Sequence, residues 1–583
     1  MRHLVPFLDL RDLNAQQLPG EFLAAAAVVF LAVPQGVAYA LIAGLPPAMG
    51  LYAATFPTII GSFFRSSRQV VAGPTNALSL LVGGAIIGTV LEPDAAAVAV
   101  TLAFLVGVMQ VLAGALRLGS VVDYISSPVV LGYITGAGVL IGVGQLHNVT
   151  GTEGPRGNLF VTIAGWIETL ASGVDALTVG VAAATVVLVL VLRRIDRRIP
   201  SAVIAMVASI LAATALGLED RGLQTIGDIA PIPAGLPPLS LPDPTLFQKL
   251  LPVAVACTVL SLVESSAVGR SIAGRTGQKL DASTEFFGQG VANLAAAFFS
   301  GYPTSGSLTR SALNEQVGAK TRLSGSISGV FMLVVLLILG PTMNHTPIAA
   351  LAGLLLIVAW DLVRPARIQK VVRTRFADRV AFVVTVLGTW SLTLDKAIYL
   401  GVGISLVLFL RRARLLVIRE MAFSPENRMR DVALGRVPEG FRRCKQVRIL
   451  HVEGALFFGS AGELRAAIEE AASAPGVREI IVRLKRTQGL DVTTIETLEA
   501  IHQAMEERGQ HLSLVGLRPG AMETMRRSGA VERLQCYPSQ PLWFAAMDAA
   551  LTDTLSRLDR HEVDCPLEAY VADRTALKRK TQK

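Results

Sequence analysis

Two stretches far apart in the chain carry nearly the same polar pattern inside apolar sequence: Pro74-Thr75-Asn76-Ala77 and Pro303-Thr304-Ser305-Gly306. Proline fixes φ and lacks an N–H, so Pro74 and Pro303 suit an extended lead-in or the first turn of a helix. Thr75-Asn76 and Thr304-Ser305 are N-capping types. Two half-helices starting at such points within a membrane each present unpaired N–H groups and an effective charge of roughly +0.5, a combination that holds an anion and repels a cation. Arg310, about a turn into the second of them, adds a full positive charge; a charge inside a spanning segment marks a functional position. The alternative for Arg310 is a guanidinium that snorkels to an interface or pairs with an acid. Glu264, the only acidic residue between Leu250 and Arg270, is the candidate for a carboxyl that gains and loses a proton or holds a coupling cation; a permanent salt bridge to Arg310 is its alternative. In the first apolar run Pro34 frees backbone groups near Gln35 and Tyr39. These two, at i and i+4, share a helix face where Gln35 can donate to an anion and Tyr39 can wall a pocket, or where both can serve packing.

The elements that must position these groups are membrane spans. The chain has 583 residues with 52% apolar content and a mean hydropathy of +0.53, which points away from an ordinary soluble protein. Apolar runs recur from Leu18 to Leu410 at the length needed to cross a hydrocarbon core of roughly 30 Å. Charge becomes frequent after Arg411 and no such run follows. We therefore expect a cytosolic N-terminal segment (1–17), a transmembrane domain (18–415), a linker (416–439), a soluble domain (440–557) and a polar, basic C-terminal tail (558–583). Asp9, Arg11 and Asp12 precede the first run without a cleavage-site pattern, so a cleaved signal peptide is not expected.

Cationic residues crowd alternate loops. Arg65 and Arg68, Arg117, Arg193 to Arg198, Arg270 to Lys279, Lys320 and Arg322, and the segment 364–379 form one set; the opposite loops hold only Arg156, Arg221, Lys249 and Lys396. By the positive-inside rule both termini and the soluble domain are cytoplasmic, in a cell (inner) membrane crossed many times. The net charge of +9 is thereby accounted for by topology, and nucleic acid is not an expected partner. About 14 spans fit, grouped as two repeats (about 20–217 and 249–412). Each has an odd number of crossings, so the second is inverted relative to the first, and the two echoing stretches are spans 3 and 10. Short Gly/Pro-interrupted segments at matching positions of two halves point to a transporter's binding site; for one stretch alone a kink or helix-packing role would be the plainer reading. The cysteines and histidines lack metal or disulfide spacing, and the soluble part offers no nucleotide loop or nucleophile–base set, so neither a cofactor nor an enzyme activity is expected.

The stretch VPQGVAYALIAGLPPAMGLYAATFPTIIGSFFRSSRQVVAGPTNALSLL strongly resembles the first spans of SulP-type anion transporters, relatives of the animal solute-carrier anion exchangers. ESSAVGRSIAGRTGQKLDASTEFFGQGVANLAAAFFSGYPTSGSLTRSALN resembles their spans 8–10, and the match runs along almost the whole chain. The resemblance implies a polytopic α-helical fold of 7+7 inverted repeats split into core and gate domains, a cytosolic α/β STAS domain, a homodimer, and an elevator-like movement of the core. Carried over position by position, it implies an anion site made of Gln35, Tyr39, Thr75, Ser307, the backbone N–H of Leu308, Thr309 and Arg310, with Glu264 as the coupling carboxylate. Sodium-coupled bicarbonate members of the family resemble one another in carrying Asp at that position. The longer Glu, with Gly269-Arg270 and SGSLTRSALN, resembles the sulfate branch and implies proton-coupled symport. A bicarbonate or dicarboxylate transporter coupled to sodium or protons, an anion channel and a membrane sensor are the rival readings.

The soluble part resembles a STAS domain: QVRILHVEGALFFGSAGELRAAIEEA reads as strand then helix, and the following segment alternates likewise. The family's phosphorylatable turn appears as DVTT, with Asp491 at its acid and Thr493 at its hydroxyl. The strand before it ends in Arg483, Lys485 and Arg486 instead of acidic or apolar residues, which favours a plain helix cap over a phosphorylation site. A cytosolic protein bound by this domain is the implied partner.

Overall fold

The structure is a computed structural model and describes residues 17–89, 94–120, 126–153, 159–170, 173–196, 199–538, 545–558 and 566–581. By its internal contacts the chain forms two units, Met1–Leu406 and Val407–Lys583. The expected N-terminal segment lies almost wholly outside the described residues.

The first unit is helical. Its first half contains α1 (Leu18–Ile42), α2 (Phe56–Phe64), β1 (Ala72–Gly73), α3 (Asn76–Thr89), α4 (Ala95–Ala115), α5 (Ser127–Gly144), α6 (Ala176–Ile195) and α7 (Ser201–Ala215). The second half repeats the order with α8 (Phe247–Thr276), α9 (Ala282–Phe298), β2 (Ser305–Gly306), α10 (Leu308–Val317), α11 (Leu323–Met343), α12 (Ile348–Leu362), α13 (Phe376–Ser391) and α14 (Leu394–Ala413). Among the described residues the two halves share this order, each with a two-residue strand ahead of a half-helix, as two repeats require. Short helices, among them Pro365–Val372, join these elements. Both α1 and α8 carry an internal proline, Pro34 and Pro252.

The two strands pair with each other, antiparallel, with Ala72 opposite Gly306 and Gly73 opposite Ser305. Each strand therefore finds hydrogen-bond partners in the other repeat, which is what lets non-helical backbone persist at membrane depth. Helices α4 and α9 approach closely through small residues: a side chain at Gly290 would place its Cβ 2.5 Å from the Val111 nitrogen. Such seams pack helices where no hydrophobic effect separates protein from lipid.

One charged group departs from its expected place. Arg65, counted above among the cytoplasmic loop cations, is fully buried and pairs with the equally buried Glu285 of α9 at 3.0 Å. It also donates to the Gln289 side-chain oxygen Oε1, while the other Glu285 oxygen accepts the Ser67 N–H (3.0 Å) and hydroxyl (2.9 Å). The arginine begins a descent into the core, so its side chain follows the chain inward. Glu285→Gln strands an uncompensated buried cation, and we expect it to destabilise the unit by about 3–5 kcal/mol. The double variant Arg65→Met/Glu285→Leu should melt closer to the parent than either single variant does, as thermal unfolding in detergent will show.

The second unit holds a six-stranded sheet of order β4-β3-β5-β6-β7-β8. Its strands are β3 (Val417–Phe423), β4 (Met429–Ala433), β5 (Val447–Ala455), β6 (Glu479–Gln488), β7 (His511–Leu517) and β8 (Gln535–Pro538). β5 to β8 run parallel, and β3 is antiparallel to both β4 and β5. Parallel strands need both faces covered. Helices α15 (Ala461–Ala472), α16 (Val492–Glu506) and α17 (Pro519–Arg527) cover one face through Leu464, Ile468, Leu498 and Met525. Helices α18 (Ala545–Arg557) and α19 (Pro566–Thr581) cover the other, where Leu551, Leu567 and Tyr570 meet Phe423, Ile449 and Ile481.

Two expected boundaries are thereby corrected. The segment 416–439, read as a linker, supplies β3 and β4, because β3 completes the edge of β5 that the parallel strands leave open. The tail 558–583, read only as polar and basic, contains α19, whose Leu567 and Tyr570 are buried and whose Val571 packs beside them; a few apolar contacts on one face dock a helix of otherwise polar composition.

Candidate anion-binding site

The two half-helices begin where the strand pair ends. Ser307 caps α10, its hydroxyl accepting the Arg310 N–H at 3.4 Å, and its own N–H donates to the Val71 carbonyl at 3.0 Å. The amides of Leu308 and Thr309, at the first two helical positions, meet no acceptor among the described residues. Both residues are exposed. In α3 the Thr75 carbonyl accepts both the Ser79 N–H (2.9 Å) and hydroxyl (2.7 Å), and the Ser79 hydroxyl also meets the buried Tyr302 phenol at 2.9 Å.

Arg310 is 1% exposed. One guanidinium nitrogen, Nη2, donates to the Pro74 carbonyl at 2.8 Å, and its Nε is buried without a partner. The guanidinium lies against Gly73, whose φ is +146° and where any Cβ would fall 2.8 Å from both terminal nitrogens. Gly73 thus serves two ends: it takes a backbone conformation that side chains disfavour and it leaves room for the arginine. Gly73→Ala should displace the guanidinium and cut anion binding at least about tenfold, given that a hydrogen bond to a charged group contributes roughly 1.5–3 kcal/mol; equilibrium binding of labelled anion measures it.

Glu264, on α8, accepts the Thr75 hydroxyl at 3.1 Å and lies within reach of the Ser305 hydroxyl. Glu264 and Arg310 form no ion pair, so the permanent salt bridge entertained from sequence is absent. On α1, Tyr39 is buried and the Gln35 amide has a buried oxygen with no partner. The structure therefore gathers around the strand crossing Thr75 and Glu264 on one side and Ser307, Leu308, Thr309 and Arg310 on the other, with Gln35 and Tyr39 on a helix packed against both half-helices.

A polar stripe behind the crossing escaped the sequence reading. Gln289 donates to the Thr304 carbonyl (2.8 Å) and accepts the Ser265 hydroxyl (2.9 Å). Ser265 in turn accepts the Gly306 N–H at 2.8 Å, and Asn293 accepts the Thr304 N–H at 2.6 Å. Glu285, Gln289 and Asn293 follow one another at i, i+4 and i+8, a polar face in an apolar span that was the available signal.

The sulfate permease family profile matches residues 18–385. The chain belongs to this family of membrane anion transporters. Its second unit matches the STAS domain over residues 441–540, so the sheet described above extends the STAS match at its N-terminal edge by β3 and β4. Sulfate transporter 4.1, chloroplastic, of Arabidopsis thaliana is 28% identical over 543 residues, 88% of this chain and 77% of the relative. Human solute carrier family 26 member 6 is 29% identical over 473 residues, 76% of this chain and 61% of the relative. The solved structure of SLC26A9 superposes with a TM-score of 0.85 at 20% identity, covering 95% of this chain and 94% of that one. This permease is thus a multi-pass membrane protein with a STAS domain.

Within that STAS domain Asp491 is a helix cap. Its carboxylate accepts the Thr494 N–H (2.9 Å) and hydroxyl (2.7 Å) at the start of α16, and the Phe458 N–H at 2.7 Å. Burial alone would raise this carboxyl, but the hydrogen bonds from Thr494 and Phe458 outweigh it and hold it below its ordinary value. A depressed carboxyl contributes stability above its unfolded value and loses it as pH falls through the folded one. We expect Asp491→Ala to cost about 1 kcal/mol near neutral pH and progressively less below about pH 4, read from the soluble unit's melting in the full-length protein. Thr493 is exposed at the second helical position.

Proposed function

We propose that this permease carries sulfate inward with protons, holding the anion between the N-termini of α3 and α10. The observation that carries the reading is Arg310: a fully buried guanidinium with no carboxylate partner among the described residues, next in the chain to two backbone amides that meet no acceptor there. A buried charge is costly unless paired, and an oxyanion supplies the missing partner while its oxygens take the Leu308 and Thr309 N–H groups. Glu264, adjacent to the site and not paired with the arginine, is the group that takes and releases the coupling proton.

In this reading the core helices carrying the site move against the gate helices in an elevator cycle. The permease works as a homodimer, with both termini and the STAS domain in the cytoplasm and a cytosolic protein as the STAS domain's partner. The relatives named as sulfate transporters support sulfate as the anion, and transporter relatives throughout support a role without enzyme chemistry. Uptake of labelled sulfate into proteoliposomes, with and without an inward proton gradient, tests it. Stimulation by the gradient is the expected result. Uptake of bicarbonate with sodium, or of fumarate, in place of sulfate would move the substrate; gradient-independent flux would replace symport by a channel, and silence with every anion would leave a sensor.

A further inference from the structure

The segment joining α12 to α13 is a short amphipathic helix between two membrane helices. Ile368 and Val371 of the Pro365–Val372 helix pack against the cluster of Leu131 of α5 and Phe382 and Val386 of α13. This anchors the helix against the bundle, and the connection between Leu362 and Phe376 is too short for it to leave the surface at which α12 ends and α13 begins. The segment 364–379 holds six cations, Arg364, Arg367, Lys370, Arg373, Arg375 and Arg379, against one acid, Asp378. All but Arg364 are exposed. No ion pair joins any of the six to an acid among the described residues; Asp361, just before them, is held by Arg193 at 2.8 Å. Beside the cations stand large apolar side chains open to the surroundings: Trp360 (79% exposed), Phe376 (69%) and Val372 (46%).

Cations alone would suit any soluble polyanion. Exposed aromatic and aliphatic groups at the same level suit the boundary between headgroups and acyl chains, where tryptophan partitions and basic amphipathic helices lie. Six positive charges at that depth attract the anionic lipids of the cytoplasmic leaflet.

We propose that this helix is a binding surface for anionic phospholipid headgroups, with the phosphodiesters on Arg367, Lys370 and Arg373 and the acyl region on Trp360, Val372 and Phe376. The proposal rests on the cytoplasmic orientation given above. Its test is titration of the purified full-length protein, in neutral detergent, with phosphatidylglycerol or phosphatidylcholine, counting retained lipids by native mass spectrometry. The parent protein should retain phosphatidylglycerol preferentially. The triple variant Arg367→Gln/Lys370→Gln/Arg373→Gln should bind it at least about tenfold more weakly, since each cation near an anionic surface contributes roughly 1 kcal/mol. The matched triple Arg436→Gln/Lys445→Gln/Arg508→Gln in the STAS unit, with the same loss of charge, should bind as the parent does. Equal retention by the two triple variants, each eluting and melting as the parent, overturns the proposal, as does no preference for phosphatidylglycerol. Full competition by soluble glycerol phosphate overturns it too, since the site would then be one for free phosphate. The readout involves no transport, so lipid retention without sulfate uptake sinks only the transport reading.

Discussion

Arg310→Gln should weaken anion binding by about 100-fold, the factor that about 2.7 kcal/mol gives, and reduce uptake at low anion concentration to the same degree. Glutamine keeps polar contact but removes the charge, and hydrogen bonds to charged groups stand at roughly 1.5–3 kcal/mol in proteins. The low dielectric of a site within the bundle favours the upper end. Loss of fold is the obvious confounder, but among the described residues the guanidinium makes one hydrogen bond, to the Pro74 carbonyl, beside its packing against Gly73. Removing an unpaired buried cation relieves a desolvation cost, so we expect the variant to melt no lower than the parent. Arg310→Lys should recover part of the binding and not all, because an ammonium is a point charge that cannot serve Pro74 and a planar set of anion oxygens together. Labelled-sulfate binding to purified protein, with melting measured alongside, separates the two effects.

Glu264→Gln should abolish stimulation by a proton gradient while leaving sulfate–sulfate exchange at fixed pH. The amide is nearly isosteric and can still accept the Thr75 hydroxyl, so the site keeps its shape. What it loses is the ability to change charge. In the parent, influx rises as the outside is made more acidic than the inside; in the variant the same pH series should be flat. We expect the gradient-driven component to fall at least about tenfold, consistent with removal of an essential proton carrier. A variant that still responds to the gradient would assign coupling to another group.

Much of the site was legible because it is written in local chemistry. Pro74 and Pro303 announced extended lead-ins, and the structure places β1 and β2 beside them; Thr75-Asn76 stand at the start of α3 as expected, but Thr304-Ser305 do not cap α10, because Ser305 is taken up in β2 and the cap falls to Ser307. Asp491 likewise announced the cap that it makes. The pairing of β1 with β2 was not legible, since two residues carry no pattern and the partners are more than 200 positions apart. Nor was the role of Arg65: a cation at the end of an apolar run reads as a topological signal, and only Glu285, 220 residues away, makes its burial tolerable. Unpaired amides at a half-helix start were expected from helix geometry, but a backbone N–H bears no side-chain signature, so that of Leu308 was named by the family resemblance and that of Thr309 only by the structure. β3 was passed over as a linker because VIREMAF carries two charges in seven residues; Glu420, one of them, is buried and pairs with Arg448 at 2.9 Å, a compensation that sequence does not display.

The most direct test of the central claim is to locate the anion. A crystal of the full-length permease soaked in selenate, a sulfate isostere with an anomalous signal, shows where the oxyanion sits. The expected result is one anomalous peak at the strand crossing, within hydrogen-bonding distance of the Leu308 and Thr309 nitrogens and of the Arg310 guanidinium, absent in Arg310→Gln. A peak elsewhere in the bundle, or one that persists unchanged in Arg310→Gln, would contradict the account.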